Sequence, residues 1–243
     1  IRSQGAFEIA TGGNTERFRI DNTGTATFTG PSSATVRIQA PTDNAFLSII
    51  GGASDSGAEE AGIILQQKTT AKWQVANTTG NDFRIYNYAT SSPSLVISPD
   101  GEVTMPSQPA FRVDQTYLSG RGTGYYLVDF SDTLTNCFDT GNNFNNNIFT
   151  APIDGVYFFA CSIRVDSVSG YFRILISKNN STDSNYNLHA IVGNGISTNY
   201  ENLQVSGTLY LSEDDTARVY IYSDSDSNWT SQGEGHFSGF LVG

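Results

Sequence analysis

Few side chains in this sequence have the types and spacing needed for chemistry. The two histidines, His189 and His236, both fall inside strand-like segments, and neither belongs to a Gly-x-Ser-x-Gly elbow or a His-Glu-x-x-His helix. With no metal or triad partner nearby, the sequence predicts packed or inter-subunit histidines. Paired carboxylates at Glu59 and Glu60, or Asp214 and Asp215, could flank a glycosidic bond. Neighbours on a strand point to opposite faces, however, so these pairs read as solvated turns. Asp224, Asp226 and Asn228 have the spacing that opens a calcium loop, but the sixth position is Trp229 instead of Gly and the twelfth is Gly235 instead of Glu. Calcium therefore lacks a full motif, and no cofactor or metal is expected. The stretches GRGTG (120–124) and GNG (193–195) do not lead into a helix that could hold a phosphate, so both read as turns. The chain is not expected to be an enzyme.

Composition says what kind of scaffold positions these residues. The 243 residues include 24 Gly, 12 Tyr and 15 Phe, with only 15% charged and no run of helix formers at helical spacing. An all-β chain follows. Thirteen basic residues against 24 acidic give a net charge of -11, and the three lysines, Lys68, Lys72 and Lys178, are scattered. A phosphate-binding footprint is absent, so nucleic acid is not an expected partner. The longest apolar run, Val156 to Cys161, is far shorter than the roughly 18 residues a membrane helix needs, and no membrane insertion is expected. Cys137 and Cys161 do not make a disulfide framework and are expected as free thiols. The opening at Ile1, without Met or a signal-like segment, reads as a piece of a longer protein.

An internal repeat organises the first part of the chain. FRIDNTGTATF (18–28) and LVISPDGEVTM (95–105) both read as strand, turn, strand. At one constant offset Ile20 falls on Ile97, Gly24 on Gly101, Ala26 on Val103 and Phe28 on Met105. Two short strands cannot bury an apolar face, so more chain or other chains must cover each unit. Between the copies, TVRIQA, AFLSII, GIILQQK and KWQVAN read as a small β knob. The expected organisation is a shaft repeat over 1–30, an inserted knob over 31–78, a second shaft repeat and linker over 79–108, and a C-terminal domain over 109–243. Pro106 and Pro109 mark the last boundary.

After Pro109, eight or so strand segments at short spacing predict a jelly-roll sandwich. In the segment 155–165 the odd positions Tyr157, Phe159, Cys161, Ile163 and Val165 form an unbroken apolar face, the expected core. The even positions Val156, Phe158 and Ala160 are apolar too. Leaving large apolar side chains in water forgoes roughly 1.5–3 kcal/mol each, so a second surface should cover them, and a symmetric oligomer supplies one. A loop of the same chain over Phe158 is the alternative.

Phe130 and Asn136, then Phe149, Gly155, Tyr157 and Phe159, resemble the signature of the complement-one-q globular head, a jelly roll of the tumour-necrosis-factor-like superfamily. The closing FSGFLV (237–242) resembles that family's last strand. CFDTGNNFNNN (137–147) is one residue longer than the family pattern, Cys161 replaces an aromatic, and Glu213 to Asp215 stand where Gly-Asp is usual. The resemblance covers 109–243 and implies a homotrimer, with Val156, Phe158 and Ala160 facing sister subunits. The Arg-Ile-Asp and Gly units of residues 1–107 resemble tail-fibre shafts of bacterial viruses, in which three chains wind together.

On these resemblances the chain is the distal part of a trimeric bacteriophage tail fibre, located in the virion and continuous with the proximal fibre and tail proteins. Its head would attach the virion to a host bacterial surface receptor, a carbohydrate. Counting alternate strand directions places loops 166–170, 193–200 and 224–235 at the tip. Asp224, Asp226, Asn228, Trp229, Asn194 and Tyr200 are then the receptor-binding candidates, with the exposed aromatic faces of Trp229 and Tyr222 suited to a sugar ring. A secreted complement-like recognition protein and a polysaccharide-degrading spike are the alternative readings.

Overall fold

The computed structural model describes residues 7–11, 15–23, 25–28, 49, 60–67, 69–181, 187–225 and 228–243, and the backbone alone for 7–11, 15–17, 119, 167–169 and 189–199. Among the described residues there are strands and turns and no helix. The chain divides into two units, Ile1–Ala53 and Ser54–Gly243.

In the first unit, β1 (Phe7–Thr11), β2 (Thr15–Ile20) and β3 (Ala26–Phe28) form an antiparallel sheet in that order. Asp21 builds the β2–β3 turn. Its Oδ1 accepts hydrogen bonds from the backbone N–H of Thr23 (2.9 Å) and Thr25 (2.8 Å), the side-chain capture that makes Asp a turn residue. The Thr23 hydroxyl donates to the same oxygen, and these bonds hold the Asp21 carboxyl below its ordinary value. Phe18 and Phe28 meet across the hairpin with ring centroids 4.9 Å apart. Most of the expected knob, including TVRIQA and most of AFLSII, lies outside the described residues.

The second unit opens with a five-stranded antiparallel meander: β4 (Ala61–Gln67), β5 (Thr70–Asn77), β6 (Phe83–Asn87), β7 (Ser92–Ile97) and β8 (Val103–Thr104). The boundary expected at residue 78 falls between β5 and β6, which pair from Trp73↔Asn87 to Asn77↔Phe83. One sheet therefore runs through it. The β7–β8 turn closes like the β2–β3 turn. Ser98 N donates to Glu102 O at 2.9 Å, where Asp21 N donates to Thr25 O at 3.0 Å. Gly101 supplies the left-handed residue, with φ +91°.

The head contains the twelve remaining strands: β9 (Ala110–Gln115), β10 (Leu118–Arg121), β11 (Gly124–Leu127), β12 (Phe130–Ser131), β13 (Phe138–Thr140), β14 (Phe144–Asn145), β15 (Ile148–Thr150), β16 (Gly155–Lys178), β17 (Asn187–Leu211), β18 (Thr216–Ser223), β19 (Trp229–Ser231) and β20 (His236–Leu241). The main path runs β12-β9-β20-β16-β18-β15-β14, with β17 alongside β16, an all-β arrangement consistent with a jelly-roll sandwich.

Strand β16 shows why the sequence folds this way. Its first half lies against β20, and its second half, from Phe172 to Lys178, lies against β18. In the first half the odd residues Tyr157, Phe159, Cys161, Ile163 and Val165 are buried, as their alternation requires. Beyond Gly170, at φ +101°, the even residues Phe172, Ile174 and Ile176 take their place. The change occurs at a bulge: Gly170 pairs with Ile196 but Phe172 pairs with Val192. The segments 166–170 and 193–200, expected as tip loops, are thus parts of continuous strands that bend at this corner. Local sequence suggests a break because Gly and Ser are frequent there, yet the ladder continues through them.

The core is aromatic. Phe111 stacks on Phe149 at 4.9 Å and Phe144 at 5.1 Å, and meets the edge of Phe237 at 5.0 Å. Gly239 allows this packing, since a Cβ there would sit 2.5 Å from Phe159 Cδ1. Gly155 is constrained in the same way, as a Cβ would lie 2.6 Å from Leu241 Cδ1. The buried Tyr157 donates its hydroxyl to Ile153 O at 2.9 Å, and burial raises its pKa.

Candidate functional site

Two surfaces of the head carry the candidate residues. The first is the outer face of the layer formed by β17, β16, β20 and β9. Val156 pairs with Tyr210, Phe158 pairs with Thr208 on one side and Phe240 on the other, and Ala160 pairs with Ser206 and Ser238. Because alternate residues share a face, these side chains form one patch. Tyr210 is 57% exposed, Phe240 48% and Val156 36%, while Phe158 stands against Phe240 with centroids 5.4 Å apart. A loop of the same chain does not bury them among the described residues. Val242 N donates to Val156 O at 2.7 Å, which fixes the last residues beside this apolar end.

Further along the same face the chemistry becomes polar. Ser162, Gln204, Ser206 and His236 line a pocket of about 300 Å³ above Cys161. His236 pairs with Asp114 and Ser162 in the sheet. Burial, and secondarily Arg112, lowers its pKa against the opposing pull of Asp114. Beyond it, Arg164 donates to Asp166 at 2.9 Å and Glu234 at 2.5 Å and lies 4.9 Å above the Tyr200 ring. The hydrogen bond to Glu234, then that to Asp166, raises the Arg164 pKa still further, so it is a fixed cation.

The second surface is the end of the head where β16 turns its corner. Asp224 Oδ1 accepts from Tyr171 N at 2.5 Å, and a Cβ on Gly170 would lie 2.7 Å from the same oxygen. Asp224 therefore clamps the corner. Trp229 does not present its face to solvent as expected: it is 0% exposed, donates Nε1–H to Gly122 O at 3.1 Å, and packs edge-on to Phe172 and Tyr126. The physical reason is its place in the short strand β19, which pairs with both β10 and β16 and turns the indole into the core. Asn228, one residue earlier, is exposed, and Tyr200 is 63% exposed. Asp226 lies outside the described residues, and Asn194 is described only as backbone in the β17 bulge.

The carboxylate pairs are held structurally. Glu60 bridges to Arg84 at 2.7 Å, and Glu59 lies outside the described residues. Asp215 bonds Lys178 at 2.7 Å, Asn179 at 2.6 Å and Ser212 N at 2.8 Å, which lowers its pKa to about 2, the Asn179 bond contributing most. Neighbouring Asp214 occupies a turn at φ +69°. Among the described residues no group of three His, Cys, Asp or Glu could hold a metal ion. Both cysteines are free.

Tyr222, expected beside Trp229 with an exposed face, is instead half-buried in a cluster on the outer face of the other layer whose other members the sequence did not suggest. Arg173 sits 5.4 Å over Tyr125 and 5.6 Å over Tyr222, whose rings are 4.7 Å apart. The signal was present in the alternation of ARVYIYS (217–223), where the tyrosines occupy one face, but the partner strands were not.

A family model described as C1q domain matches residues 110–242. Among solved structures, the globular domain of zebrafish complement 1qA protein is similar, at 21% identity over 56% of this chain and 98% of that one, with a TM-score of 0.38. No curated protein matches the chain.

Proposed function

The chain belongs to the C1q domain family through residues 110–242, and from that premise we propose that it is a homotrimeric, non-enzymatic recognition protein whose head binds a surface receptor. The observation that carries this reading is the exposed apolar end of the β17, β16, β20 face, where Val156, Phe158, Tyr210, Phe240 and Val242 lie together. A cyclic trimer buries such a patch three times over without any new element. The meander β4–β8, with Ile63, Ile64, Leu65, Trp73 and Val103 exposed among the described residues, calls for neighbours of the same kind.

In its finer form the proposal is the distal fibre of a bacterial virus, part of the virion and attached to the proximal fibre, with a host surface carbohydrate as receptor. Its support is the repeated turn: two hairpins closed by equivalent backbone bonds suit a shaft made of repeated units. Receptor contact falls to Asn228, exposed at the corner end, and to Tyr200 on the adjoining outer face of β17, with Asn194 and Asp226 in the neighbouring segments. Asp224 holds that end in shape, and Trp229 supports it from within. Three weak sites on one stalk bind by avidity. No cofactor is needed. A secreted complement-like recognition protein fits the head equally well, and its family membership is the observation in its favour.

Two measurements test the proposal. Light scattering on the intact protein should give a trimer, and Val156→Asp with Phe158→Asp should give a folded monomer; a wild-type monomer rejects the assembly. Labelled protein should be retained on particular bacterial strains and lose retention with Tyr200→Ala. Retention only on animal cells favours the secreted reading, and release of sugar from envelope material by the purified protein would make it an enzyme instead.

A further inference from the structure

We propose that the outer face of the layer formed by β11, β18 and the second half of β16 docks a polyuronate, a polysaccharide whose rings carry carboxylates. This face is separate from Asn228 and Tyr200, and the proposal is independent of the receptor reading above. The sequence of β18 turns a stripe outward. Ala217, Val219, Ile221 and Ser223 are buried, so by alternation Arg218, Tyr220 and Tyr222 share the opposite side. Tyr222 pairs with Tyr125 of β11 and with Arg173 of β16. Tyr125 is 40% exposed, and Tyr171, Tyr220 and Tyr222 are half-buried. Aromatic surface is therefore open to a ligand here.

Charge sets this face apart. The chain carries a net charge of -11, yet β11, β18 and residues 171–177 contain only two charged residues, Arg173 and Arg218, both cationic. Arg84, Arg112 and Arg164 each bridge to a carboxylate, Glu60 at 2.7 Å, Asp114 at 3.1 Å and Asp166 at 2.9 Å. Among the described residues Arg173 and Arg218 meet none. The partners of Arg173 are neutral: its guanidinium lies over the Tyr125 and Tyr222 rings and donates to the Tyr125 hydroxyl. Stacking holds that group in place and leaves its charge uncompensated. Asp224, two residues past Tyr222, is committed to Tyr171 N.

These features select the occupant. Two uncompensated cations call for an anion, and screening over about 8 Å at physiological salt weakens the repulsion from distant carboxylates of the chain. The register Arg173↔Tyr222 and Ser177↔Arg218 sets the two arginines roughly 13 Å apart along the strands. A polymer with repeating carboxylates meets both, where a lone carboxylate meets one. Its sugar rings lay their C–H faces on the tyrosines, and its carboxylates take the guanidinium donors. An acidic peptide fits less well. Strand β18 is bonded to β16 on one side and to β11 and β15 on the other, which leaves no edge for an extended chain to join.

The test is biolayer interferometry of the intact protein on immobilised polygalacturonate, in a chelating buffer so that calcium does not bridge carboxylates. Retention is expected there, with weaker retention on the fully methyl-esterified polymer, which has the rings without the charge, and on poly-L-glutamate, which has the charge without the rings. Arg173→Gln and Arg218→Gln should each weaken binding on the order of tenfold, as for a lost charged hydrogen bond. Tyr125→Ala should weaken it too. Lys72→Gln removes an exposed positive charge in the meander and should leave binding unchanged. The Arg218 side chain makes no hydrogen bond to other described residues, so Arg218→Gln gives the answer if Arg173→Gln lowers the melting temperature. The proposal is overturned if the protein is not retained on polygalacturonate, if the methyl ester or poly-L-glutamate retains it equally well, or if Lys72→Gln weakens binding as much as the arginine variants. No bacterial cell enters these measurements, so the receptor reading stands or falls separately.

Discussion

The head and the meander are both antiparallel β-structure, yet they bury their apolar residues very differently. In the head, one contiguous core buries aromatic residues from both layers, among them Phe111, Phe149, Phe159, Phe172, Trp229 and Phe237. In the meander, Ala76 alone is buried among the described residues, and Ile63, Ile64, Leu65, Trp73 and Phe83 remain exposed. Both regions form strands, so strand formation alone does not decide independence. What differs is closure. The head has a second layer to bury its inward face, whereas the meander is one layer that no other described residues cover, and a lone sheet gains too little burial to offset its chain entropy.

Separating the two regions tests this difference most directly. Residues 109–243 should melt cooperatively as an isolated fragment, while residues 60–108 should show no cooperative transition by circular dichroism. A folded, monomeric 60–108 fragment would remove the distinction. Within the head, Phe159→Ala should destabilise by about 3–5 kcal/mol in urea melts, because the ring is fully buried among Phe111, Phe149 and Phe237. Leu65→Ala in the meander should leave the head's melt unaltered. Gly239→Ala sharpens the point about packing, with an expected loss of about 1–3 kcal/mol from pressing a methyl group into the Phe159 ring.

The smallest expected effect is electrostatic. Asp215 has a pKa lowered from 3.8 to about 2, so its folded form holds the charge more readily than the unfolded chain. The resulting stability is fully present above about pH 4 and is lost as pH falls from 3.8 towards 2. Asp215→Asn should flatten that part of the stability profile, measured by thermal melts across the acid range. An unchanged acid slope would show that the links to Lys178, Asn179 and Ser212 contribute nothing measurable.

Much of the fold was legible because strands announce themselves by period. The odd-numbered face of 155–165 could be read directly, and Gly155 and Tyr157 marked the family before any contact was known. Gly155 is needed because Leu241 leaves no room for a Cβ, a fact about the last strand that no local window contains. The candidate site was harder to read. Trp229 sits amid Asp, Ser and Asn and looks like an exposed loop aromatic, but β19 pairs on both sides and carries it inward. The segment 166–170 looks like a loop because it is rich in Ser and Gly, while the long-range ladder to β17 keeps it extended.

By itself, the sequence determined the all-β class, the repeated hairpin turn, the inward face of β16 before its corner, and the absence of a basic footprint. Each depends on neighbours within a few residues or on composition, where side-chain direction and charge are already settled. Only the tertiary structure decided which polar residues remain free. Asp224 and Asp215 were bound by partners distant in the chain, whereas Arg173 and Arg218 were left without a carboxylate among the described residues. Hydrogen-bond satisfaction depends on which strands become neighbours, and strand pairing is fixed by the packing of the whole sandwich.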